Sequence, residues 1–494
     1  MNNIFKTYRF WWLTLTALIL TFFVAELFEK SMYIDGVWYA TISRNLAEGQ
    51  GSFWYPQFSE TFFSSFHEHP PLLFGVESVF FRLLGDHWWT ERLFTASLYL
   101  ATATLIALYW RKIYHYRPAL QWCFFLALIG WQFNRAGWYY HPANLLENLL
   151  IVFDLLAIGF LWKAAENRAP VRHTILAGAC LFGAFLTKGF VGLFPLAFPA
   201  IYWLFFRSVS FSKMAGQTVL LAGVTALCFA GLFAIRPEAL DSLSKYMDVQ
   251  VLASLKGERR LYYYRDNRFY ILGKLFYTLA PMMSLLFFNA FMSRFWKGQK
   301  VPWREIFQSR EGRLAGVFFL TGMSASLPLM ISPRQALPYL LPSLPFYSLA
   351  LGVWTAFFLE RWWPDFLEKQ KRLARLAEVG ALAAVLLSAG YCWSNFHHSN
   401  HRDAAVIHDS EVIGEVVGNN KIIGSNHYDM YISGYLMRYY GISLDTTHQA
   451  NHDFLMVTKN QAPPEGAFSP VPLNTQLFDL YKKHTLAQRA EPGF

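Results

Sequence analysis

The chain has 494 residues, of which 54% are hydrophobic, 18% aromatic and only 15% charged, a composition that sets aside a soluble globular protein in favour of a polytopic membrane protein. Its formal net charge of +10 does not point to nucleic acid, because the basic residues fall in loops between apolar spans rather than in one patch. Cys123, Cys180, Cys228 and Cys392 lie in apolar stretches without CxxC or Cys/His spacing, so neither a disulfide framework nor a structural zinc site is indicated and they read as packing residues.

The first apolar span, Phe10 to Phe28, follows Lys6 and Arg9, lacks a small-residue cleavage site and reads as an uncleaved anchor. Tyr33 to Arg92 comes next, too polar to cross a bilayer and too rich in aromatic rings for a free loop, which places it at the membrane surface. Within it Val37, Tyr39, Ala40, Ile42 and Leu46 recur at roughly helical spacing, predicting a short interfacial helix with Asp35 at its N-terminal end. Further spans are expected near residues 93–110, 119–134, 144–162, 174–188, 190–206, 217–235, 269–293, 314–331, 336–359 and 378–395, about 11 in all. With the N-terminus in the cytoplasm, each inner loop is basic, as in Arg111, Lys112 and Arg117 or Lys369, Lys371 and Arg372, and the loops at 33–92, 135–143, 236–268 and 332–335 fall outside with the C-terminal tail.

After Asn395 the composition turns mixed and polar. VIGEVV, KIIGS and DFLMVTK read as strands around a helix at Asp429 to Tyr440, so the expected organisation is a transmembrane domain, 1–395, followed by a small soluble α/β domain, 396–494. No inverted repeat of the kind common in transporters is visible.

Four features on the expected outer side could carry chemistry. Asp35 abuts a span, where an ionisable group is costly unless it has a task, whereas Glu48 and Glu60 of the same loop read as solvated charges. In His67-Glu68-His69-Pro70-Pro71-Leu72 the prolines fix an extended approach to the next helix and so aim Glu68 and His69. Successive residues of an extended segment point in opposite directions, so this run alone does not make a three-ligand site, and no metal ligand is assigned; a requirement for a divalent metal is left open. Lys188, in LTKGFVGLFP, and Arg334, in SPRQALPYLLPSLP, stand at outer boundaries and suit a phosphate at the headgroup level. LKGERRLYYYRDNRF, Leu255 to Phe269, runs against the positive-inside rule; Arg259, Arg260, Arg265 and Arg268 could grip an anionic lipid while Tyr262, Tyr263 and Tyr264 sit among headgroups, or the segment is a surface loop balanced by Glu258 and Asp266. No Walker loop, GxGxxG, HExxH or GxSxG stands in a credible context, so a transferred group would arrive already activated on a lipid.

These residues in this order resemble the GT-C membrane glycosyltransferases, in the branch of the aminoarabinose transferases of lipid A and the protein O-mannosyltransferases, over roughly residues 10 to 360. The acidic residue after the first span and the Tyr four positions on correspond to Asp35 and Tyr39, with Gly36 where the family often carries a second acid. His69-Pro70-Pro71-Leu72 looks like the family's Lys-Pro-Pro-Leu with His for Lys, Glu147 in NLLEN like its second acidic position, and Leu186 to Gly189 like its x-Lys-Gly run. The resemblance implies inverting transfer of a sugar from a polyprenyl-phosphate carrier to a lipid, glycan or protein acceptor on the outer face of the bacterial inner membrane. It implies Asp35 as general base, Glu147 as an acid that orients the acceptor or sugar, and Tyr39, His69, Lys188 and Arg334 as substrate-binding residues, to which the outer-side reading above adds Glu68, Arg259, Arg260, Tyr263, Arg265 and Arg268. A transporter or flippase of lipid-linked sugars would instead concentrate ionisable groups near the midplane, and a polymerase or ligase of lipid-linked oligosaccharides would share most of these features.

Overall fold

The computed structural model of the protein describes residues 6–166, 169–258, 268–298, 303–461 and 468–484. Among them nine helices are long and apolar enough to cross a membrane: Arg9–Phe28, Thr90–Ile113, Leu146–Ala165, Pro170–Phe206, Phe211–Ile235, Tyr270–Lys297, Arg310–Ile331, Leu337–Lys369 and Lys371–Ser394. This is a multi-pass membrane protein with a small sheet near its C-terminus. The span Pro170–Phe206 has 37 residues, well beyond the roughly 20 that one crossing needs. It doubles back at Gly189, whose φ of 70° opens a conformation that a side chain would resist, and the returning Gly192 lies against Ala184. A shorter apolar helix, Leu120–Gln132, accompanies the nine.

Local signals set many helix limits. Ser210 and Ser309 accept hydrogen bonds from the amides of Lys213 and Gly312 at the starts of their helices, satisfying donors that a helix start leaves orphaned. Gly298, left-handed at φ 65°, ends the helix that closes at Lys297. The most enclosed helix is Leu337–Lys369; its Tyr347, Leu351 and Phe358 pack on Leu279, Met282 and Leu286 of Tyr270–Lys297. Between helices in lipid, close packing rather than exclusion of water supplies the attraction.

The chain forms two compact units that do not follow chain order. The helical unit comprises Met1–Leu27, His67–Leu73 and Leu93–Ser394; the loop-and-tail unit comprises Phe28–Phe66, Phe74–Arg92 and Asn395–Phe494. The second unit carries a five-stranded sheet of β1 (Ile422–Ser425), β2 (Ser443–Asp445), β3 (Phe454–Thr458), β4 (Phe468–Val471) and β5 (Phe478–Lys483), in the order β2-β1-β3-β5-β4. β2, β1 and β3 run parallel, and β5 is antiparallel to both β3 and β4. KIIGS and DFLMVTK supply β1 and β3, as their β-branched runs predict. VIGEVV does not form a strand: it ends the helix Ala404–Val417, where Ile407, Ser410, Ile413, Gly414 and Val417 are buried at three- and four-residue spacing. The helical period of the longer segment overrides the β propensity of its last six residues. The expected helix at Asp429 to Tyr440 is present as Met430–Tyr440, and the Asp429 carboxylate caps it by accepting from the amides of Tyr431 and Ile432.

Candidate active site

In the loop-and-tail unit, Asp35 lies in the first turn of the helix Ile34–Ala47, half-buried, where the helix dipole favours a carboxylate. This helix is held from the tail at several points. Ahead of Asp35, the Met32 amide donates to the Tyr435 hydroxyl (3.1 Å), which donates in turn to Asp403 (3.1 Å). Trp38 Nε1 donates to the Met430 carbonyl (3.1 Å), and Gly434 lets the two helices approach closely, since a Cβ there would stand 3.0 Å from Ile34 and Trp38 atoms. Farther along, Arg44 donates to the carbonyls of Met437 (2.9 Å) and Arg438 (3.2 Å) in the last turn of the Met430–Tyr440 helix; the Met437 carbonyl also accepts from the Gly441 amide. Asn45 donates to the carbonyls of Gln57 and Phe58.

Behind this contact is a buried charge cluster. Arg438, fully enclosed, pairs with Asp86 (2.6 Å) and Glu91 (2.8 Å). Burial opposes its charge, but the two carboxylates prevail and raise its pKa above the ordinary arginine value. Burial lowers the pKa of Arg44, and the neighbouring Arg438 adds to the effect while Asp86 and Glu48 oppose it. Tyr39 is buried, its ring 5.7 Å from that of Phe74.

The helical unit holds the other candidates. Glu147 is in the first turn of Leu146–Ala165 and Lys188 is the last residue of the helix Pro170–Lys188, each at the end where the dipole favours its sign. Both are buried, and they form an ion pair. The Lys188 ammonium also lies 5.2 Å from the centre of the Tyr339 ring, a cation–π contact. Directly after Lys188, Gly189 faces the Tyr246 hydroxyl so closely that no Cβ would fit there. Tyr246 ends the helix Pro237–Tyr246, whose Ser242 hydroxyl lies 3.4 Å from His67 Nδ1. Burial, helped by Lys245, pushes the His67 imidazole below its ordinary value against the opposing charge of Asp241. Glu68 and His69 are half-buried, and Pro70 is buried. An apolar cavity of about 430 Å³ is lined by Phe185 and Phe190, which flank Lys188 in sequence, and by Phe229, Leu243 and Met247 among others.

Arg334 and Arg268 belong to one neighbourhood through a residue that the sequence did not single out. Gln335 accepts from the Ile271 amide (2.7 Å) and donates to the Arg268 carbonyl (2.8 Å), tying the two basic segments together. Arg259, Arg260, Tyr263 and Arg265, with Tyr262 and Tyr264, lie outside the described residues.

A second missed group adjoins Glu147. Asn148 donates to the carbonyls of His141 and Ala143, and the His141 ring lies 4.5 Å from that of Trp131. Both polar atoms of fully buried Gln132, the Trp131 indole nitrogen and His141 Nε2 lack a hydrogen-bond partner among the described residues. Burial pushes the His141 pKa down to about 4, with hydrogen bonds to Asn148 and the Trp131 backbone acting the other way. No local pattern of the sequence signals this group. Among the described residues no cluster of three or more His, Cys, Asp or Glu could hold a metal ion.

Residues 68–233 match the family model described as dolichyl-phosphate-mannose-protein mannosyltransferase. The fold is similar to that of ArnT from Cupriavidus metallidurans bound to undecaprenyl phosphate, with a TM-score of 0.64 and 16% identity over 97% of this chain and 98% of that one. The apo state of the same protein gives 0.63 and 16% over the same shares. The Archaeoglobus fulgidus oligosaccharyltransferase in its apo form gives 0.51 and 10% identity over 90% of this chain and 65% of that one. No curated protein matches by sequence. The chain thus has the fold of the GT-C membrane glycosyltransferases, and its segment 68–233 carries the sequence pattern of the mannosyltransferase family within that group.

Proposed function

We propose that this protein transfers a sugar from a polyprenyl-phosphate carrier to a hydroxyl of a lipid, glycan or protein acceptor, with inversion, on the periplasmic face of the bacterial inner membrane. The observation that carries this reading is its likeness along nearly the whole chain to an ArnT structure that holds undecaprenyl phosphate. The acceptor oxygen attacks the anomeric carbon while the carbon–oxygen bond to phosphate breaks; the acceptor's proton passes to Asp35, and the carrier departs as its phosphate monoester. A phosphate monoester anion leaves without protonation, so one base is enough. Lys188 and Arg334, with Arg268, Arg259, Arg260 and Arg265, neutralise the phosphate, in the manner of preorganised cations aimed at developing charge. Glu147 orients Lys188, and Tyr39, Tyr263, Glu68 and His69 serve substrate binding. The apolar cavity lined by Phe185, Phe190 and Phe229 suits the hydrocarbon of a lipid substrate. In chain terms, 1–395 serves as the transferase domain and 396–494 as the soluble domain.

The test is mass spectrometry of envelope lipids, glycans and exported proteins from matched strains carrying the intact chain or Asp35→Asn. A single added sugar that disappears in the variant identifies sugar and acceptor together; removal of the general base should slow transfer about 10²–10⁴-fold. Full transfer by Asp35→Asn would sink the mechanism. Lipid-linked sugar accumulating on one side of the membrane in a deletion strain would indicate a transporter instead.

A further inference from the structure

A second cavity lies at the far end of the helix that carries Lys188. From Pro170 to Lys188 the helix rises roughly 28 Å, and the cavity surrounds its beginning. About 280 Å³ in volume, it is enclosed by the end of Leu146–Ala165, the returning segment with Tyr202 and Trp203, and the start of Phe211–Ile235. Its walls are apolar except for Thr174, Tyr202, Ser208, Lys213 and Gln217.

Several cations elsewhere in the helical unit pair with carboxylates. Lys112 and Arg310 pair with Glu166, Arg117 with Glu360, and Lys297 with Asp365. Lys213 in the cavity wall, Arg172 beside wall residue Val171, and Arg207 beside wall residue Ser208 are all exposed. None of these three has a carboxylate partner among the described residues; Arg207 only approaches the Trp203 ring, at 5.7 Å. An unpaired cation in the wall of a mostly apolar cavity with a few hydroxyl and amide groups, with two more next in sequence to other wall residues, matches one amphiphile: an anion joined to hydrocarbon. A free anion would have no use for the apolar walls.

We propose that this cavity binds an anionic glycerophospholipid, its phosphate met by Lys213, Arg172 and Arg207 and its glycerol region by Thr174, Ser208 and Gln217. The site is separate from the carrier-phosphate residues and does not depend on which sugar is transferred.

The experiment uses the full chain, purified, delipidated and titrated with phosphatidylglycerol or phosphatidylcholine under native mass spectrometry. Phosphatidylglycerol should be retained several-fold more than phosphatidylcholine, and Arg207→Gln/Lys213→Gln should cut that retention at least fivefold while Lys213→Arg keeps it. Val171→Trp, which fills the cavity without altering charge, should reduce retention as well, and it decides the matter if the double variant does not fold. Equal retention of the two lipids, retention unchanged by Val171→Trp, or complete displacement by millimolar inorganic phosphate would each overturn the assignment.

Discussion

The two units fix their charged groups by opposite means. In the helical unit, Glu147 and Lys188 are single residues at the ends of two helices, buried and matched mainly to each other. In the loop-and-tail unit, the Asp35 helix is held by many bonds, most of them to backbone carbonyls, with Arg438 and its two carboxylates behind them. The first arrangement concentrates its stability in one electrostatic contact in a low-dielectric setting. The second distributes it, so that no single bond decides where Asp35 sits.

The sharpest break is expected at the concentrated pair. Lys188→Met leaves the Glu147 carboxylate buried without its cation and should cost about 3–5 kcal/mol of stability, measured by denaturant unfolding in detergent. Adding Glu147→Gln to that variant should restore most of the stability without restoring transfer. If the single variant is as stable as the parent, the pair is not what holds these helix ends.

The pH dependence separates the units next. With the His141 pKa down at about 4 in the folded protein against about 6.5 when unfolded, the unfolded chain binds the extra proton. Stability from this group is therefore full above about pH 6.5 and falls between there and about pH 4, by about 3 kcal/mol in total. His141→Gln should flatten that part of the stability profile; an unchanged slope would assign it to other groups.

The distributed network should yield least. Arg44→Met removes the bonds to the Met437 and Arg438 carbonyls and should cost about 1.5–3 kcal/mol. Its transfer rate should fall by less than that of Asp35→Asn, because Tyr435 and Trp38 still hold the start of the helix. A loss of transfer equal to that of Asp35→Asn would show that the position of Asp35 hangs on Arg44 after all.

What could be read before folding follows from range. The Asp35 helix was legible because Val37, Tyr39, Ala40, Ile42 and Leu46 repeat locally, and the Met430–Tyr440 helix because Asp429 stands at its cap. The strand expected at VIGEVV was misjudged from six residues, since its helical period shows only over the fourteen from Ala404 to Val417. Lys188 was marked by its place at an outer boundary and Glu147 by the family resemblance, yet their pairing spans 41 positions and depends on which helix ends meet. Gln335 and His141 carried no local signal at all.

By itself the sequence determined the membrane class, the apolar helices and the candidate ionisable residues, because hydrophobicity, loop charge and caps act within a few turns of one residue. Only the tertiary structure decided that the tail holds the Asp35 helix through contacts such as Arg44 to Met437, 393 positions apart, that Lys188 faces Glu147, and that Gln335 joins the Arg268 and Arg334 segments. Such contacts arise from the packing of whole elements, and no pattern local to either partner encodes them.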